Sequence, residues 1–152
     1  LAKIRNRYQF KAPRQAVWDQ FFDYDAAPPD FMKGASVEIL TPGSPDPKGL
    51  GCVRQLNNPR GKPTVEEIVA WDPPRSFSYS VRSSAMPVKR YEGTMHFEER
   101  DGGTTAHYAA DFDPKIPGTA WMVRAMFAVM GVLFIRRYMA WLDEQALRRA
   151  AK

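Results

Sequence analysis

The sequence predicts an α+β fold: a curved antiparallel sheet of about seven strands wrapped around a long C-terminal helix, with two short helices after strand 1. Three observations predict it. The run from Pro117 to Lys152 reads as one long helix. Ahead of it lie segments of alternating apolar and polar residues, joined mainly by short turn-rich links that favour antiparallel pairing. The remaining helical pattern is short and directly follows the first strand.

In chain order, Ile4, Tyr8 and Phe10 alternate with Lys3, Arg5, Arg7, Gln9 and Lys11, the pattern of a half-buried strand. Pro13 suits the first position of a helix, and Val17, Trp18, Phe21 and Phe22 give that helix one apolar face. Asp25-Ala-Ala-Pro-Pro-Asp30 breaks it, and Phe31 and Met32 form a second short turn or helix. Val37 and Ile39 begin a second strand. Thr41 to Gly51 holds three prolines and three glycines and reads as a loop. Its Gly49-Leu-Gly51 lacks the Gly-Lys-Ser/Thr and the helix of a phosphate loop, so it reads as the lead into a strand. Strands follow at Cys52–Asn57, Thr64–Trp71, around Phe77–Val81, Arg90–Arg100 and Thr104–Phe112, with turns at Asn58–Gly61, Asp72–Arg75 and Asp101–Gly103.

The long helix has two chemistries. Ala125 to Ile135 carries no charge and is apolar all round. From Arg136 it is amphipathic, with Ile135, Tyr138, Met139, Leu142 and Ala146 opposed to Arg136, Arg137, Asp143, Glu144 and Arg148. On a regular helical wheel Arg124 falls on the side of Ile135, Leu142 and Ala146, where it either reaches a pocket or snorkels to its rim. Met126, Val129 and Leu133 fall opposite. Either the short helices or the Thr41–Gly51 loop cover them, or they contact a second copy in a homodimer, or they touch a membrane surface with help from Arg136 and Arg137.

At 152 residues, the chain reads as one domain spanning 1–152, with 44% hydrophobic residues, enough for a proper core. Arg124 and Arg136 interrupt the apolar run well short of the roughly 20 residues that span a bilayer. The first residues, opening on Leu1, lack the apolar core of a signal peptide. The net charge of +5 is spread along the chain, without a basic helix interleaved with stacking aromatics; no nucleic-acid partner is expected. The one cysteine, Cys52, excludes an internal disulfide, suits a reducing compartment such as the cytoplasm, and reads as a small buried apolar residue.

The turns set the hairpin registers. A turn centred on Pro73 and Pro74 puts Ile68 opposite Tyr79, and places Glu66, Ile68 and Ala70 on one face with Phe77, Tyr79 and Val81. A turn centred on Asp101 and Gly102 puts Met95 opposite Tyr108, and Tyr91, Gly93, Met95 and Phe97 share a face with Ala106, Tyr108, Ala110 and Phe112. These apolar, aromatic faces are expected on the concave side. They line a pocket under the helix, with Tyr79, Tyr91, Met95 and Tyr108 in its wall and Arg54 and Glu66 as a polar pair. Turn length leaves open whether Glu66 or Glu67 points inward, and Arg54 reads equally as a surface residue. The same register sets His96 across from His107 on the outer face, as an exposed pair or a pH-sensitive patch; no third metal ligand is foreseen.

The order of elements resembles the helix-grip fold of the START/Bet v 1-like (SRPBCC) superfamily, and the details are similar to its polyketide cyclase/dehydrase-like branch. The matching pieces are Ala12-Pro13 with Val17-Trp18, Gly49-x-Gly51-x-x-Arg54, Glu66 through Asp72-Pro-Pro-Arg75 to Tyr79, Pro87-Val88-x-x-Tyr91, and Gly103-Thr104 leading to Tyr108 and Phe112. The resemblance implies a cavity for a lipid, polyketide or other apolar ligand, with the arginine, glutamate and tyrosines at its wall, and favours Glu66 over Glu67. Tyr108 and Phe31 stand where relatives often carry tryptophan. The ligand-binding set is then Arg54, Glu66, Tyr79, Tyr91, Met95, Tyr108 and Arg124. No Ser-His-Asp set, metal cluster or nucleotide motif is legible, so no cofactor is expected and binding, or transport, of a hydrophobic small molecule is the leading expectation. The alternatives are a cyclase/dehydrase that shapes its substrate with a cavity acid or base, and an interaction module built on the apolar half-helix.

Overall fold

The computed structural model describes residues 2–152; Leu1 lies outside the described residues. Strands β1 (Ala2–Phe10), β2 (Ser36–Thr41), β3 (Val53–Asn57), β4 (Thr64–Asp72), β5 (Ser76–Ser83), β6 (Val88–Arg100) and β7 (Gly103–Pro114) form one sheet in the order β1-β7-β6-β5-β4-β3-β2. Every neighbouring pair is antiparallel. From β2 to β7 the chain meanders. The one long step, from β1 to the opposite edge, is carried by α1 (Arg14–Phe21) and a 3₁₀ turn at Asp30–Met32. The long helix is α2 (Ala120–Met130), a π turn (Gly131–Ile135) and α3 (Arg136–Ala150). It starts at Ala120 rather than Pro117 because Gly118 adopts φ +84°, outside the right-handed helical region.

The core lies on the concave face. Trp18 and Phe22 meet Trp71 and Phe77 with ring centroids 4.9–6.1 Å apart. Leu142 and Ala146 of α3 are fully buried in the same cluster. Asp143 accepts backbone N–H bonds from Lys11 at 2.9 Å and Ala12 at 3.0 Å, which satisfies two donors where β1 ends and ties α3 to it. Cys52 is a buried free thiol.

The hairpin registers are those the turns predict: Ile68 faces Tyr79, Met95 faces Tyr108 and His96 faces His107. One position departs. A bulge between Ile68 and Ala70 moves the pairing by one, so Ala70 faces Ser78 and is exposed, and Trp71 turns into the core in its place.

The helix departs in a more consequential way. A regular α-helix would set Arg124, eighteen residues before Leu142, on the same side as Leu142. The π turn takes up one extra residue, and everything before it rotates by about 100°. Val123 is therefore the residue in line with Leu142, and it is buried, while Arg124 is exposed. Deleting Val132, which is exposed within the π turn, removes the extra residue and should leave a plain α-helix in which Val123, now eighteen residues before Leu142, still faces the sheet and Arg124 still faces away. We expect the deletion to be tolerated, with a change of less than about 1 kcal/mol in denaturant unfolding. A loss of several kcal/mol, as from Arg124 turned onto the sheet in place of Val123, would mean that the π turn does not set the inward face by taking up one residue.

Candidate functional site

The concave face carries two groups of polar side chains among aromatic and aliphatic ones. The first is built on β3 and β4, where Arg54 and Glu66 are directly opposite in register and both buried. Arg54 donates from Nε at 3.1 Å and Nη2 at 2.8 Å, and both bonds fall on Oε1 of Glu66. Nη1 donates to the hydroxyl of Tyr24 at 2.9 Å. The guanidinium lies 5.9 Å from the centroid of Phe22 and 5.8 Å from that of Phe77. Burial alone would lower the Arg54 pKa; the Glu66 carboxylate and Tyr24 outweigh it and hold the guanidinium firmly charged. Glu67, one residue on, faces outward and pairs with Arg82.

The second group is a chain of tyrosines. The Tyr79 hydroxyl lies 2.7 Å from that of Tyr108, which lies 2.5 Å from that of Tyr91. Burial pushes all three hydroxyls above the ordinary tyrosine range. Gly93 makes room for the chain: a Cβ there would stand 2.6 Å from Cζ of Tyr79. Met95, buried beside them, opposes Tyr108.

Over these tyrosines, where the sequence predicts a pocket, lies the ring of Phe127. Phe127 stacks on Tyr91 at 5.8 Å and on Tyr108 at 6.3 Å, both at an interplanar angle of 13°. Two clefts open elsewhere. One of about 860 Å³ lies between the 23–30 segment and the end of α3, lined by residues such as Asp23, Pro28, Trp141, Gln145 and Arg149. The other, of about 560 Å³, lies between α1 and the loop before β3, beside Trp18, Lys48 and Trp71. Neither reaches Tyr79, Tyr91, Met95 or Tyr108. Arg124 belongs to neither polar group: its Nε donates to the backbone carbonyl of Lys3 at 3.1 Å, so it pins α2 to the edge strand instead of lining the interior.

Two participants were not foreseen. Tyr24 sits in the break after α1 and shows no periodicity that would mark it. Phe127 lies in a run that is apolar all round, so its inward aim depends on the π turn. The histidine pair stands on the outer face, rings 6.3 Å apart, with His107 Nε2 3.0 Å from Glu98. No group of three or more potential metal ligands occurs among the described residues.

This architecture, and a match over residues 2–149 to the family described as polyketide cyclase/dehydrase and lipid transport, decide the family. The chain belongs to that family. Among curated proteins no sequence matches it. Among solved structures it is similar to Ara h 8.0201, at 14% identity over 97% of this chain and 98% of that one, with a TM-score of 0.70. It is also similar to a protein from Thermobifida fusca, at 22% identity over 97% and 95% with a TM-score of 0.70. A third, from Thermus thermophilus, has 19% identity over 97% and 99% and a TM-score of 0.67. At these identities the likeness is one of fold: the Bet v 1-like sheet gripping a long helix.

Two measurements test the polar groups. Glu66→Gln leaves a buried guanidinium without its countercharge and should cost about 3–5 kcal/mol in unfolding experiments. Glu67→Gln, on the solvent side, should cost less than about 1 kcal/mol. Equal, small losses would remove the pair from its structural role. The second test is alkaline titration. Folded tyrosines with raised pKa values keep protons that the unfolded chain gives up above about pH 10. Their stabilising contribution is complete below that pH and declines above it. Tyrosinate absorbance from this group should therefore appear together with loss of the fold, in one cooperative step, and not as a separate titration near pH 10.

Proposed function

We propose that the protein binds an apolar small molecule carrying a neutral oxygen function, held between the concave sheet and α2–α3. The observation that carries this reading is unused hydrogen-bonding capacity in an apolar interior. Of the five N–H donors of a guanidinium, Arg54 uses three. Glu66 accepts at Oε1 alone among the described residues, and Oε2 keeps contact with accessible space. The tyrosine chain has three hydroxyl protons and two internal bonds, so one proton is left to donate. Buried polar groups are normally satisfied, by protein, water or a guest. Because Arg54 and Glu66 cancel in charge, a hydroxyl, carbonyl or ester oxygen suits them better than a carboxylate, which would bring a second anion into a low-dielectric site.

The family description supports an apolar ligand and includes cyclase and dehydrase chemistry. Arg54, Glu66 or a tyrosine could move a proton in such a reaction. Against this stand the raised tyrosine pKa values, which keep the hydroxyls protonated and make them weak acids, and the outward aim of both histidines. Binding is the reading we favour.

Phe127 is the obstacle a ligand must displace. Phe127→Ala should tighten the binding of an apolar fluorescent probe, and Tyr91→Trp should report it by a change in emission. Replacing Tyr79, Tyr91 and Tyr108 together by phenylalanine, which removes every hydroxyl donor of the chain where any single change would leave one, should weaken a long-chain ketone by roughly 3–10-fold while leaving the apolar probe unaffected. A Phe127→Ala variant that binds neither compound would end the proposal.

A further inference from the structure

We propose that the outer face of α2 and the π turn is a docking surface for an anionic membrane, on which the helix lies in the plane of the interface. This goes beyond ligand binding and does not depend on it. The first observation is exposure. Between Ala120 and Phe134 only Val123 is buried; Trp121 is 66% exposed, Val129 56%, Val132 65% and Leu133 50%, with Met126 and Phe134 beside them. The short helices and the Thr41–Gly51 loop, which could have covered this face, leave it open. Contiguous apolar surface of this kind marks a contact site.

The second observation is charge, and it selects the partner. From Pro114 to Leu142 there is no acidic residue, while Lys115, Arg124, Arg136 and Arg137 are basic. Lys115, Arg124 and Arg136 are exposed, and Arg137 stacks on Phe31 with its guanidinium carbon 4.2 Å from the ring centroid. In a two-fold dimer built on this face, each copy would bring cations and no anions to the same contact. An anionic bilayer supplies the missing charge, and an apolar ridge ending in a tryptophan and flanked by arginines is the usual make-up of an interfacial helix.

The third observation sets the depth. The uncharged stretch from Ala125 to Ile135 is eleven residues, about 16 Å of helix, against roughly 30 Å of hydrocarbon. The helix cannot leave the fold to insert deeper, because Leu142 and Ala146 are locked in the core and Asp143 holds the end of β1. It lies on the membrane and does not cross it.

The test is flotation with vesicles of phosphatidylcholine alone or mixed with phosphatidylserine. The full chain should float with the anionic vesicles, poorly with the neutral ones, and less at high salt. Val129→Glu combined with Leu133→Glu should reduce the bound fraction by roughly tenfold or more, with the fold checked by circular dichroism. A second measurement needs no disruptive change. An environment-sensitive dye on Val132→Cys should shift to the blue with anionic vesicles, and the same dye on Thr94→Cys, exposed on the outer face of the sheet away from the helix, should not. Absence of flotation together with an unshifted Val132 dye overturns the proposal. So does a wild-type dimer that the double glutamate variant converts to a folded monomer, which would assign the face to a second copy.

Discussion

One long helix lies along the concave face beside α1, and the phase of that helix governs much of what the sheet can hold. The π turn at Gly131–Ile135 adds a single residue, yet it decides that Val123 and Phe127 point at the sheet and that Arg124 points away. Without it, a guanidinium would face the tyrosine chain, where burial without a carboxylate is costly. With it, Phe127 closes over Tyr91 and Tyr108, and Arg124 is engaged by the Lys3 carbonyl at the sheet edge. π turns inside α-helices frequently coincide with functional sites, and here the turn separates a half anchored in the core from one attached by few side chains.

The Arg54–Glu66 pair answers a different constraint. Removing two charges from water costs several kcal/mol each, and mutual attraction offsets this only with good geometry. The geometry is supplied by cross-strand register, two bonds to one carboxylate oxygen, and the Tyr24 hydroxyl on the other arm. An apolar pair of similar volume would often be as stable. What the ion pair adds is a fixed, neutral arrangement of donors and an acceptor inside an aromatic wall. That is a property useful for recognition, not for stability. The tyrosine chain adds to it: hydroxyls bonded to one another remain protonated and available to donate.

Most of the sheet was legible because period-two alternation and turn chemistry together determine parity. The pairs Ile68–Tyr79, Met95–Tyr108 and His96–His107 follow from where the turns are centred. The inward aim of Glu66 was not readable from the Asn58–Gly61 turn, and it was the family resemblance that favoured it. What failed are the places where one residue is added without a compositional mark. The bulge at Val69 exchanged Ala70 for Trp71, and the π turn exchanged Arg124 for Val123. In a strand one extra residue reverses the facing, and in a helix it turns the facing by about 100°, so a small irregularity changes the identity of a wall residue. Tyr24 was hidden for another reason: it reaches the site from an aperiodic segment, and only the folded chain brings it to Arg54.

The two faces of α2 are mechanically one object. Phe127 on the inside and Met126 and Val129 on the outside lie within a single turn. The segment is held to the sheet by Val123, the half-buried Ala120 and Phe127, and the Arg124–Lys3 hydrogen bond, whereas α3 beyond the π turn is fixed by Leu142, Ala146 and Asp143. A force on the outer face therefore bears on the Phe127 ring, through a segment tethered less firmly than α3. If the proposed membrane contact forms, it acts on the same helical turn that carries the ring closing the tyrosine chain. Release of an apolar ligand from beneath Phe127 would then occur beside an apolar medium and not into water, where each buried CH₂ would cost about 0.8 kcal/mol to expose.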